Sequence, residues 1–247
     1  MQLQRDVAPG IHLVSEAYVN WFVVEDGGRL TLVDAGLPRS WGTVQQVLSE
    51  LGRSPGDVEA IVLTHGHFDH VGFAERARRE WGTHVWVHER DRPLSRHPLH
   101  YEQERSLARY LINPGGLLAL GSMIAHGMPV TKGVAEVRGF RDEDVLDVPG
   151  RPRPIFTPGH THGHVALHFP ETGTLISGDA LVTLDPYTGR RGPRLVARAA
   201  TADVDEAMAS LQRLAETHAQ TVLPVHGSPW TDGVQAAVDR ARERGAA

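Results

Sequence analysis

Cysteine is absent from the 247-residue sequence, which excludes disulfide bonds, thiolate metal sites and a cysteine nucleophile. An excess of positive charge is absent too: the formal net charge is −5, so a surface that binds nucleic acid is not expected. No apolar run is long enough to span a bilayer, and residues 1–10 lack the apolar core of a signal peptide. We therefore expect a soluble cytoplasmic protein with no nucleic-acid or membrane partner.

Histidine is the enriched residue, with 15 copies, which fits either metal chemistry or a histidine-rich surface. The length allows one large domain or two small ones. No repeat, low-complexity stretch or clear boundary divides the chain, so we interpret residues 1–247 as a single domain. The sequence does not fix the oligomeric state, and a homodimer is one alternative.

Apolar periodicity predicts hairpins and strand–helix units in alternation, which indicates a mixed α/β domain whose sheet is covered by helices. Strands are predicted at 11–14, 18–25, 30–33, 61–63, 84–87, 144–148, 154–156, 165–169, 174–177 and 221–223, and helices at 71–81, 41–51, 102–111, 117–126, 202–217 and 234–244.

Residues 89–134 differ from the rest of the chain because they are rich in Arg, His, Gly and Pro. We interpret them as a helical insertion over one face of the domain. Two roles are open for it: a lid over the substrate, or a peripheral pair of packing helices. His97, His100 and His126 lie here, and any of them could touch substrate.

The densest cluster of metal-ligand side chains follows the predicted strand at 61–63. His65, His67, Asp69 and His70 fall within six residues, on a loop that leads into a helix. In extended backbone His65 and His67 point to the same side, and the glycine between them allows close approach. Imidazole and carboxylate groups suit divalent metals, and two pairs at this spacing suit two ions better than one.

Three more candidate ligands, His160, Asp179 and His226, lie farther along the chain. Each lies beside a predicted strand and next to or near glycine. All three could therefore converge on the edge of the sheet that carries the first cluster. His84 and His88 flank a predicted strand. No other candidate ligand residue lies at ligand spacing from either in the sequence, so we do not expect them to bind metal.

In its cluster, its later ligands and their order, the sequence resembles the metallo-β-lactamase superfamily, within it the compact lactonase and glyoxalase II-like branch. The resemblance implies a four-layer αββα sandwich with two metal ions. It implies that Asp34 and His164 support the site without binding metal. It assigns His65, His67 and His160 to one ion, and Asp69, His70 and His226 to the other, with Asp179 bridging them.

Such a pair of ions suits hydrolysis, because bridging water loses a proton near neutral pH and becomes a hydroxide nucleophile. Asp69 is the expected catalytic residue that orients it. We expect a small-molecule substrate with an ester, lactone or thioester bond, and zinc as the metal, with iron or manganese as alternatives. A mononuclear iron enzyme of the sulfur dioxygenase type, a phosphodiesterase and a non-catalytic binding protein remain as other hypotheses.

A basic stretch follows Asp179. Tyr187, Arg190 and Arg194 lie in it and would bind an anionic substrate if they reach the metal edge. The alternative is a solvated basic loop.

Overall fold

Seven strands form the larger sheet of the structure, a computed structural model that describes residues 1–141 and 145–247. They are β1 Gln2–Ala8, β2 Ile11–Glu16, β3 Val19–Asp26, β4 Arg29–Val33, β5 Val58–Val62, β6 His84–His88 and β7 Arg138–Phe140. Their order across the sheet is their order in the chain. Neighbours are antiparallel from β1 to β4 and parallel from β4 to β7.

A second sheet has four strands, and a separate hairpin has two. The strands are β8 Arg153–Phe156, β9 Val165–Phe169, β10 Thr174–Gly178, β11 Val182–Leu184, β12 Arg191–Arg194 and β13 Thr221–Pro224. The second sheet has the order β13-β10-β9-β8, while β11 and β12 pair with each other. In the second sheet only β10 and β13 are parallel.

Six α-helices complete the described part of the chain. They are α1 Ser40–Glu50, α2 Ala74–Trp81, α3 Arg92–Arg96, α4 Pro114–Ala125, α5 Val204–Ala215 and α6 Val234–Arg244. Local chemistry explains where α5 starts: the Asp203 side chain accepts a hydrogen bond from Glu206 N–H, which caps the helix. Residues 89–130 contain α3, α4 and three short 3₁₀ turns.

Three apolar clusters separate four layers. On β3 the neighbours Trp21 and Phe22 point to opposite faces, as the period of a strand requires. Trp21 lies in the cluster between α1, α2 and the larger sheet. Phe22 lies with Leu167 in the cluster between the two sheets. The third cluster, with Leu211 and Val238, joins the smaller sheet to α5 and α6. The αββα sandwich implied by the resemblance is confirmed.

The helix predicted at 102–111 is wrong except for a 3₁₀ turn at Leu107–Tyr110. Tertiary contacts hold the stretch before this turn in an irregular path that bends at residues 104 and 105. Glu104 N–H donates to Thr201 O at 3.0 Å. The Glu104 carboxylate accepts from Val204 N–H at 2.7 Å, at the start of α5. These partners on another layer replace the i to i−4 bonds that a helix would make.

Four strands lie where none was predicted: β1, β7, β11 and β12. β1 is an edge strand that is only partly buried, and the other three have three or four residues, so their apolar pattern is weak. The predicted strand at 144–148 begins at Asp144, which lies outside the described residues, and residues 145–148 form no strand. Within the described ranges, no helix has the length and apolar character needed to cross a membrane.

Candidate metal centre

The loop after β5 carries four of the predicted ligands, and Asp34 holds its first turn. The Asp34 carboxylate is fully buried and accepts hydrogen bonds from Thr64 N–H at 2.8 Å and from Thr64 Oγ1 at 2.9 Å. It also lies 2.9 Å from His70 Nδ1. With Nδ1 engaged in this way, His70 turns its Nε2 atom toward the other ligands.

His65, His67 and His160 bring three ring nitrogens together. His67 Nδ1 lies 3.1 Å from His65 Nε2 and 3.0 Å from His160 Nε2. All three side chains are buried. His65 and His67 come from the loop after β5, while His160 comes from the loop after β8, on the other sheet. The two sheets therefore supply one group of nitrogen ligands jointly.

Asp69, His70 and His226 form a second group. The Asp69 carboxylate lies 3.6 Å from His70 Nε2 through Oδ1 and 3.5 Å from His226 Nε2 through Oδ2. His226 follows β13, and its Nδ1 atom lies 2.7 Å from Tyr18 O, which fixes the ring so that Nε2 faces the group.

Asp179 lies between the two groups. Its Oδ2 atom is 3.1 Å from His160 Nε2 and 3.8 Å from both His65 Nε2 and His70 Nε2. Its Oδ1 atom is 3.5 Å from His226 Nε2. One carboxylate thus reaches ligands of both groups, which is the position that a bridging ligand needs.

His164 fixes Asp179 from behind. Its Nε2 atom accepts a hydrogen bond from Asp179 N–H at 2.8 Å, and its Nδ1 atom lies 2.8 Å from Thr157 Oγ1. The structure therefore places both His164 and Asp34 beside the ligands and outside the two groups. The supporting role that the resemblance implies for both residues stays a prediction.

Asp91 is a supporting residue that sequence reasoning missed. Its buried carboxylate accepts from Gly66 N–H at 2.9 Å, from Thr161 Oγ1 at 2.8 Å and from Gly163 N–H at 2.7 Å. Gly66 lies between two ligands of the first loop, and the other two donors follow closely after His160. Asp91 therefore ties together the two loops that supply the first group.

Burial and charge set the protonation of the ligands. Burial holds the pKa of His65 and that of His67 well below 6.5, so both rings are neutral at physiological pH. Burial opposes the charge of His70 too, but Asp69 and Asp34 outweigh it and raise its pKa to about 10. For Asp179 burial is outweighed by His226 and His160, which hold its pKa well below 3.8.

The residues present fit metal ions. At a zinc–nitrogen bond length of about 2.0–2.1 Å, tetrahedral geometry places nitrogen ligands about 3.3–3.4 Å apart. His67 Nδ1 lies 3.1 Å from His65 Nε2 and 3.0 Å from His160 Nε2, which is close to that spacing. In the described part of the chain, His70 Nε2 and Asp179 Oδ1 are buried polar atoms without a hydrogen-bond partner. The ligand atoms of each group lie within 4.8 Å of one another. Cations would satisfy these otherwise costly buried atoms.

Of the predicted substrate contacts, the structure brings only Tyr187 to the cluster, where it lines the adjoining cavity. Arg190 is exposed, and Arg194 donates to Gly192 O and Arg191 O. The β11–β12 hairpin turns these arginines toward α6, where Arg244 donates to Arg191 O. Neither Arg190 nor Arg194 lines the two cavities next to the ligands.

Tyr101 is a further residue near the ligands that the sequence did not indicate. Its ring lies 4.6 Å from that of His67, and it borders both cavities. His97 and His100 border the second cavity only. The only available signal was a tyrosine inside the predicted insertion, and no spacing rule connects it to the ligands.

Comparison with known proteins identifies the class that this fold and these ligands define. Residues 14–226 match the model of the metallo-beta-lactamase superfamily, and the chain belongs to that superfamily. A curated relative, the probable metallo-hydrolase YflN of Bacillus subtilis, is 26% identical over 239 residues, covering 92% of this chain and 87% of YflN. Relatives of this kind support a metal-dependent hydrolase.

Solved structures agree. The metallo-beta-lactamase family protein TTHA1429 of Thermus thermophilus matches with a TM-score of 0.70 and 28% identity, over 96% of this chain and 79% of that one. TTHA1623, solved in a di-iron-bound form, matches with a TM-score of 0.62 and 26% identity, over 91% of this chain and 95% of that one. BJP-1, a subclass B3 metallo-beta-lactamase of Bradyrhizobium japonicum, is 18% identical at a TM-score of 0.69 over 99% of this chain and 92% of that one, and shows the fold alone.

Proposed function

We propose that this protein is a dinuclear metal-dependent hydrolase of a small, uncharged ester, lactone or thioester. The observation that carries the proposal is the position of Asp179, whose carboxylate lies within 3.8 Å of histidine nitrogens from both groups. Two divalent ions would supply Lewis acidity and would lower the pKa of a water molecule enough to make it a nucleophile. Zinc is the first candidate for this imidazole-rich set, with iron or manganese as alternatives.

Asp69 is the candidate catalytic residue. Its carboxylate lies beside His70 and His226 and also lines the cavity, so it faces both the ligands and the space for substrate. In this position it can orient the attacking water and accept its proton. The candidate ligand histidines are less suited to this task, because the nitrogen that each turns toward the centre would be occupied by a metal ion.

Tyr187 and Tyr101 are the candidate hydrogen-bond donors to the substrate. Their hydroxyl groups interact with each other at the edge of the cavity. Burial raises the pKa of Tyr187 well above 10 and raises that of Tyr101, so both hydroxyls keep their protons at neutral pH. A protonated phenol can donate to an oxygen that gains negative charge in the transition state.

Two alternatives receive less support. A mononuclear oxygenase would need only one group of ligands, whereas the second group here is complete and buried. A phosphodiesterase would hold the charge of its substrate with the two ions and with neighbouring basic side chains. Among the described residues, the cavity beside Asp69 has no lysine or arginine in its wall, and Arg90 lines only the second cavity.

Metal analysis paired with activity tests the proposal. The purified protein should hold about two divalent ions per chain and should hydrolyse members of a neutral ester, lactone and thioester panel. Asp69→Ala should lower kcat by roughly 100-fold or more. The matched control is Asp57→Ala, a carboxylate on a distant surface turn, and it should not change kcat. One iron ion per chain with no hydrolysis would contradict the proposal.

A further inference from the structure

The cavity beside the ligands has a strongly one-sided lining. Its volume is about 160 Å³, below the roughly 300–1,000 Å³ of sites that enclose a whole small molecule, so it has room for a narrow part of a ligand. More than half of its lining residues come from residues 99–128, which we call the cover segment. The rest of the wall includes Phe68, Pro186 and Tyr187.

Charge is confined to the inner end of this cavity. There the ligands His67, Asp69, Asp179 and His226 border it. The described residues along the remaining wall include no lysine, arginine, aspartate or glutamate. Beyond the ligands, only the tyrosine hydroxyls offer polar side-chain atoms. A ligand that fills the cavity therefore carries its polar group at one end.

The outer end of the cavity is apolar as well. Leu99 and Leu111 line it and are 41% and 45% exposed, which marks them as its mouth. Between mouth and ligands, α4 contributes Leu120 and Met123 to the wall. α4 can approach closely because Gly116 has no side chain: a Cβ atom there would lie 2.0 Å from Tyr187 O.

A second cavity on the other side of Tyr101 has the opposite character. Arg90, His97, His100 and Glu102 are among the residues that border it. A hydrocarbon chain would leave the charged groups there without hydration and would gain less apolar contact. The two cavities meet at His67 and Tyr101, so a substrate at the ligands has one apolar and one polar direction available.

We propose that the first cavity binds an unbranched hydrocarbon chain of the substrate, with the scissile carbonyl at the ligands and the chain running along α4 toward Leu99 and Leu111. This inference rests on the proposed hydrolase function and narrows it to esters, lactones or thioesters with an aliphatic chain. Burial of each methylene contributes about 0.8 kcal/mol, which corresponds to about a fourfold gain in binding.

Kinetics over a chain-length series tests the assignment. With p-nitrophenyl esters from acetate to decanoate, kcat/KM should rise about fourfold per methylene until the cavity is filled. In Leu120→Trp the larger side chain occupies part of the cavity, so kcat/KM should fall for the long esters. For the acetate ester, kcat/KM should stay within about twofold of the wild-type value. The matched control is Leu118→Trp on the exposed side of the same helix, where Leu118 is 66% exposed, and it should leave the whole series unchanged.

A binding measurement separates the cavity from catalysis. Linear alcohols are used to displace the neutral fluorophore N-phenyl-1-naphthylamine. The apparent affinity of the alcohols should rise with chain length in wild type and in L118W. In L120W the long alcohols should bind more weakly than they do to wild type. If L120W does not fold, Leu120→Phe takes its place in both experiments. Turnover of acetate without a chain-length trend, or equal displacement by short and long alcohols, would overturn this inference and leave the hydrolase intact. Normal displacement without turnover of any ester would overturn the hydrolase instead.

Discussion

Replacing Asp91 with alanine should loosen the metal centre without removing a ligand. The carboxylate accepts three hydrogen bonds, and two of the donors are backbone N–H groups, of Gly66 and Gly163. Both glycines are buried. A buried donor without a partner costs about 1–3 kcal/mol, so Asp91→Ala should lower the free energy of unfolding by about 3 kcal/mol. For a chain of this size that corresponds to a melting temperature roughly 6–12 °C lower.

Metal affinity should fall as well, because Asp91 sets the distance between the loops of His67 and His160. Loss of such a supporting hydrogen bond typically weakens metal binding by about 10–100-fold. Asp91→Asn keeps one oxygen but turns an amide N–H toward a donor, so its effect should lie between wild type and Asp91→Ala. Urea unfolding and competition with a chromophoric chelator measure the two quantities.

Asp203→Ala is the matched control for Asp91. It also removes a carboxylate that accepts a backbone N–H, at the start of α5, and should cost about 1 kcal/mol. It should leave metal affinity unchanged, since α5 supplies no ligand. The reasoning is refuted if Asp91→Ala binds metal as tightly as wild type and loses no more stability than Asp203→Ala.

Three further predictions concern the same centre. His164→Ala removes the acceptor of Asp179 N–H and should weaken metal binding about tenfold in the chelator competition, whereas His168→Ala, on the strand that follows His164, should not. Gly159→Ala should lower the free energy of unfolding by roughly 2–3 kcal/mol, measured in urea, because φ is +122° and the new Cβ would lie 2.1 Å from Ala207 N. Metal at about 100 times its Kd should raise the free energy of unfolding by about 2.7 kcal/mol, and a chelator should reverse this in a thermal melt.

Sequence reasoning could propose the candidate metal ligands because the chemistry of their side chains is marked locally. His65, His67, Asp69 and His70 lie within one loop, and each of the later candidates adjoins a strand end. The later candidates follow strands of the second sheet and not of the sheet that carries the first loop. Their grouping with that loop was therefore anticipated from the resemblance and not from strand prediction alone. Apolar periodicity predicted only a mixed α/β domain, and the four layers were anticipated from the resemblance.

Residues that act across long separations could not be found in this way. Asp91 lies 25 residues from Gly66 and 72 from Gly163, and no pattern marks a lone aspartate after a strand as their common acceptor. Tyr101 contacts His67 from a non-helical segment that Glu104 bonds to Thr201 and to the start of α5, and these long-range contacts leave no local pattern. The direction of the β11–β12 hairpin likewise depends on packing against α6, which composition does not encode.

The cover segment contributes no ligand atom to either metal group, although it forms most of the cavity wall. We expect substitutions at its apolar positions to change the volume and shape of the cavity. The loops that carry the candidate metal ligands would keep their structure. Substrate specificity and the candidate metal centre therefore depend on different segments of this chain. We therefore expect substitutions in α4 and the loop before it to change substrate specificity during evolution while the candidate metal ligands are retained.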